Sequence, residues 1–69
     1  MTQCDRILKY MDIFGSISTM EAFNDLGVTR LASRIHDLRR MGFAIISETK
    51  TGKNRFGESV HYSVYRRAA

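Results

Sequence analysis

Ser18-Thr19-Met20-Glu21-Ala22-Phe23-Asn24-Asp25-Leu26-Gly27-Val28-Thr29-Arg30-Leu31-Ala32-Ser33-Arg34-Ile35-His36-Asp37-Leu38 is the stretch that decides how this chain folds. Its first four residues have the capping-box pattern. In that pattern a serine hydroxyl accepts from the amide three residues on, and the glutamate side chain accepts from the serine amide. A helix therefore starts at Thr19, with Ala22, Phe23 and Leu26 as its apolar face, and Gly27 stops it. Two turns do not hold helical form alone, so packing must hold this one. Val28 is of the buried type, and Thr29 can cap the next helix. Leu31, Ile35 and Leu38 then recur at i, i+4 and i+7, with Ala32 and Met41 on the flanks, over about 30–41, and Gly42 closes the run. Two short helices joined by Gly27-Val28-Thr29 make a helix-turn-helix.

Upstream, Thr2-Gln3-Cys4-Asp5 is a capping box with Asp in place of Glu, and Cys4, Ile7, Leu8, Met11 and Phe14 form one helical stripe over about 3–14, ended by Gly15. Downstream the period changes. Residues 43–50 are rich in β-branched and aromatic side chains, and Val60, Tyr62 and Val64 alternate with His61, Ser63 and Tyr65 within 58–66. Between them, Lys50 to Gly57 reads as a long, basic, flexible hairpin tip. Ile17 can supply a short third strand, since a lone hairpin is marginal in water. The expected fold is α+β: three helices and then a β-hairpin wing, as one domain over 1–69. The helix beginning near Met1 and the Arg66-Arg67-Ala68-Ala69 end fit a complete small protein.

Sixty-nine residues allow one small core and no cleft between subdomains. A single cysteine, Cys4, excludes an internal disulfide and fits a reducing cytoplasm. No apolar run is long enough to span a bilayer, and no export signal opens the chain. The charge of +4 is unevenly placed. Residues 1–28 carry Arg6 and Lys9 against Asp5, Asp12, Glu21 and Asp25, a net −2. Residues 29–69 carry nine basic side chains against Asp37, Glu48 and Glu58, a net +6. Such asymmetry points to a surface built for a polyanion.

Ser18 to Phe23, Leu26 to Arg30 and Arg34 to Phe43 resemble the helix-turn-helix of small bacterial and phage winged-helix proteins. The chain is also similar to a short family common in prophage regions, whose wing carries an Asn-Arg-Phe-Gly string, here Asn54 to Gly57. The resemblance implies a DNA-binding protein, such as a small transcription regulator or a recombination directionality factor. In one respect the chain departs from the commonest pattern. The position four before the turn glycine, usually small, is Phe23, and the small residue is Ala22. A somewhat different helix crossing is expected.

On a helical wheel with Leu31, Ile35 and Leu38 facing the core, Thr29, Ser33, His36 and Arg40 lie opposite, with Arg30 and Asp37 beside them. Arg30 and Arg40 suit guanine O6 and N7, while Thr29, Ser33 and His36 suit phosphates or base edges. Arg34 and Arg39 project to the flanks, toward phosphates, and Asp37 pairs with a neighbouring arginine. Lys50, Lys53, Asn54 and Arg55 sit on the wing, with Arg55 the choice for a minor groove. Phe56 could stack on or wedge between bases, but folding back onto the hairpin is the expected arrangement, and Arg66 and Arg67 are expected to lie at a frayed end. The expected partner is double-stranded DNA, with a homodimer or tandem sites supplying specificity. Cys4, His36 and His61 have no metal-ligand spacing, no catalytic motif is present, and no cofactor, small-molecule ligand or membrane is expected. The competing reading is a winged-helix module that binds a protein, such as a phage-encoded inhibitor of a host protein, with its acidic first half on a basic partner.

Overall fold

The computed structural model describes residues 1–68; Ala69, the last position of the expected domain, lies outside the described residues. Helix α1 (Gln3–Phe14) is opened by Thr2, whose hydroxyl accepts from the Asp5 amide while the Asp5 carboxylate accepts from the Thr2 amide, both at 3.1 Å. The aspartate thus closes the box that glutamate usually closes. After the two-residue strand β1 (Ile17–Ser18), helix α2 (Thr19–Leu26) begins with the Ser18–Glu21 box. Helix α3 (Leu31–Arg40) follows, then strands β2 (Ile45–Lys53) and β3 (Ser59–Arg67). The antiparallel sheet has the order β1-β3-β2, with Ile17 opposite Tyr65.

The core lies between the helices and one face of the sheet. Ile7, Tyr10 and Met11 of α1 meet Ile17, Ala22, Val28, Leu31, Ile35, Leu38 and Ile45, with Cys4, Leu8, Leu26, Phe43 and Tyr65 around them. Ala22 is fully buried and Phe23 is 55% exposed, so the small residue takes the inward place and the phenylalanine does not. Gly27 turns the chain at φ 68°, and its amide and that of Val28 donate to Phe23 and Ala22. Tyr10 bolts α1 to α2: its hydroxyl donates to Asp25 Oδ2 at 2.6 Å and to Glu21 Oε2 at 3.2 Å. These bonds to carboxylates raise the phenol above its ordinary value, so it stays a donor at any physiological pH.

Four expectations are corrected. Thr29 does not cap α3; the first helical bond runs from the Arg34 amide to the Arg30 carbonyl, which makes Arg30 the cap residue, without a side-chain bond. Phe43 and Ala44 are outside β2, because the Phe43 amide is still bonded to the Leu38 carbonyl. Strand β2 instead runs further out, to Lys53, and β3 starts at Ser59 rather than at 58, leaving a short closed tip at Asn54–Glu58. Phe14 is exposed and stacks on Tyr10, ring centroids 4.6 Å apart, rather than joining the buried stripe.

At about 0.05–0.15 kcal/mol per residue a domain of this size has only roughly 3–10 kcal/mol of stability. Leu38→Ala, at a fully buried position, should cost about 2–5 kcal/mol. It should leave the domain largely unfolded at 37 °C in a circular dichroism melt. Thr2 holds the Asp5 carboxylate below its ordinary 3.8, and Arg66 holds Glu48 below 4.5. Folded values below the unfolded ones mean that this stability is present at neutral pH and is lost as pH falls through them. Melts taken through the acid range should therefore show the midpoint falling below the ordinary carboxylate range, and falling less in Glu48→Gln.

Candidate nucleic-acid interface

Because Leu31, Ile35 and Leu38 are buried along one side of α3, the other side is fixed outward. His36 and Arg40 are exposed there and Ser33 is half-buried, with Thr29 and Arg30 exposed at the helix entry. Among the described residues, Arg30 and Arg40 take part in no ion pair or side-chain hydrogen bond. The first turn of α3 has no side-chain cap, so its leading amides are open to a phosphate oxygen. On the flank, Arg34 Nη1 lies 3.4 Å from Asp37 Oδ2, and the Arg34 Nε is buried with no hydrogen-bond partner among the described residues. Asp37 thus pairs with Arg34 and leaves Arg40 free.

Arg39 has a different role from the one its charge implied. Its Nε and Nη2 both donate to the Ile45 carbonyl, at 3.2 and 2.8 Å, and Nη2 also donates to Ser47 Oγ at 2.9 Å. The guanidinium ties the end of α3 to the start of β2. Ser47 marks the sheet face on which α3 packs. Thr49, Thr51 and Lys53 continue that face along β2, opposite Ser63, His61 and Ser59 of β3, and Thr51 Oγ1 lies 3.2 Å from His61 Nδ1. Apart from Lys53, this polar ribbon was not singled out as an interface in the sequence, and His61 was weighed there only as a metal ligand. The signal was the period-two alternation itself, once the register is known.

The wing cations are not gathered on one surface. Lys53 shares the α3 side, whereas Lys50 pairs with Tyr62 on the opposite face. Asn54 is part of the turn framework and Arg55 is exposed at the apex. Arg66 and Arg67 are held rather than frayed: Arg66 Nε is 2.7 Å from Glu48 Oε1. Arg67 Nη1 lies 3.1 Å from both Asp12 carboxylate oxygens, and its guanidinium sits over the Phe43 ring. The register that pairs Ile45 with Arg67 carries β3 to that point.

Among the described residues no group of three His, Cys, Asp or Glu side chains could hold a metal ion, and no helix is long and apolar enough to cross a membrane. A family model for a winged helix-turn-helix domain matches residues 2–66. No curated protein and no solved structure matches the chain.

Arg39→Ala should lower stability by about 1 kcal/mol and broaden the amide signals of β2. Arg40→Ala should leave the melting midpoint unchanged. Thermal melts and amide exchange on the two variants separate the tie from the free cation.

Proposed function

The chain belongs to the winged helix-turn-helix domain family, and from that premise we propose that it is a sequence-specific binder of double-stranded DNA. The observation that carries this reading is the division of labour among its arginines. Arg34, Arg39, Arg66 and Arg67 are engaged within the fold. Among the described residues, Arg30 and Arg40, at the entry and outer end of α3, are free, and so is Arg55 at the wing apex. In this reading α3 enters a major groove with Arg30, Ser33, His36 and Arg40 toward base edges. Thr29 and the uncapped amides of the first turn take a phosphate, with Arg34 beside them. Lys53, Asn54 and Arg55 reach the adjacent minor groove, and Lys50 and Arg39 contribute charge from the side. No catalysis and no cofactor enter.

The biological role that fits a reader of this size is a small transcription regulator or a recombination directionality factor of phage or prophage type. A short site per domain makes a homodimer or tandem binding the way to useful specificity.

About four to six phosphate contacts should give a log-log salt slope of roughly −4 to −5 in anisotropy titrations of a labelled duplex. Arg30→Glu combined with Arg40→Glu should abolish binding with the melting midpoint unchanged. Retained biological activity in that double variant would instead favour the protein-binding module. Selection from a random duplex pool should return a palindrome if two copies bind together.

A further inference from the structure

The wing ends in a closed turn built around one exposed phenylalanine. Asn54 Oδ1 accepts from the Phe56 amide at 2.9 Å and the Glu58 amide at 3.0 Å. The Asn54 amide donates to the Glu58 carbonyl, the Gly57 amide donates to the Asn54 carbonyl, and Gly57 sits at φ 78°. Asn54 Nδ2 donates to Glu58 Oε1 at 3.2 Å, and Lys53 Nζ reaches the Gly57 carbonyl at 3.4 Å. Asn54, Glu58, Gly57 and Lys53 thus supply the bonds that hold the tip closed. Phe56 is 85% exposed, more than any other large apolar side chain among the described residues, and it does not fold back onto the hairpin as its sequence led us to expect.

We propose that Phe56 is a wedge that enters the minor groove and unstacks one base step, a role that rests on the DNA reading above. A turn closed by these bonds holds the backbone beneath the ring in place, so burying the ring costs the ordering of its own torsions and little backbone ordering. Its neighbours in the chain, Lys53, Asn54, Arg55, Gly57 and Glu58, are polar or charged apart from the glycine. A lone ring in that setting lacks the surrounding apolar area that a protein interface core needs. It does suit a base plane, with Arg55 and Lys53 beside it for the flanking phosphates. The gain from burying one phenylalanine is of the same order as the cost of unstacking one step. The wedge therefore acts mainly by bending the duplex and by favouring steps that open easily, such as TA and CA/TG.

The test uses the full chain and a short alternating A·T duplex with 2-aminopurine at a central TA step, at low salt, where binding is sequence-independent. Anisotropy follows binding and 2-aminopurine emission follows unstacking in the same samples. The wild-type protein should raise the emission roughly two-fold or more, and Phe56→Leu should keep the rise because leucine also wedges. Phe56→Ala should bind up to about ten-fold more weakly without the rise. Its salt slope should be unchanged, since an apolar side chain releases no counterion, whereas Arg55→Ala should lower the slope by about 0.9. Wild-type binding without a rise, or an equal rise with Phe56→Ala, overturns the wedge and leaves DNA binding standing. No binding by the wild-type protein overturns the DNA reading and the wedge with it. A Phe56→Ala protein that sediments as a monomer where the wild type is a dimer places the ring in a contact between copies, and that too overturns the wedge.

Discussion

Val28 is the side chain on which the recognition element depends. It is fully buried between two helices that are each too short to persist alone. Its amide is bonded to Ala22, and the backbone reverses beside it at Gly27. Because Val28 is pinned, the direction in which α3 leaves the turn is pinned. With Leu31, Ile35 and Leu38 buried beneath it, the outward direction of His36 and Arg40 follows. A core held by few side chains thus controls the aim of a surface that does not touch it.

The electrostatic surface is shaped as much by neutralisation as by charge. A tally of basic residues in the second half of the chain overstates what a polyanion meets. Arg39 is spent on the Ile45 carbonyl, Arg66 on Glu48, Arg67 on Asp12 and Arg34 on Asp37. These partly exposed pairs add little stability each, yet they decide which cations stay available. What is left among the described residues is a small set: Arg30 and Arg40 at the entry and outer end of α3, Arg55 at the wing apex, and the two wing lysines, Lys50 and Lys53. Arg39 links the two parts, since it joins the last turn of α3 to Ile45 and Ser47 at the start of β2.

Much of the fold was legible because its signals are local. Ser18 with Glu21, and Thr2 with Asp5, need only a few residues to specify a helix start, and both boxes formed. The buried stripe of α3 followed from spacing alone. Thr29 was misleading for a local reason too: the first helical carbonyl is that of Arg30, so Thr29 lies one residue short of the cap position. The wing was half legible. Alternation located the strands, but the turn was read as long and flexible because Lys50 to Gly57 is polar apart from Phe56 and its glycines, while Asn54 closes it with its side chain.

What the sequence determined by itself is the order of elements, the two capping boxes and the buried face of α3. All of these arise from periodicity and from interactions a few residues apart. Only the tertiary structure decided which cations are free, which face of the wing each side chain joins, and where Phe56 points. Those depend on partners far apart in the chain, such as Asp12 with Arg67 and Ile45 with Arg67, and on a strand register in which a shift of one residue exchanges the two faces.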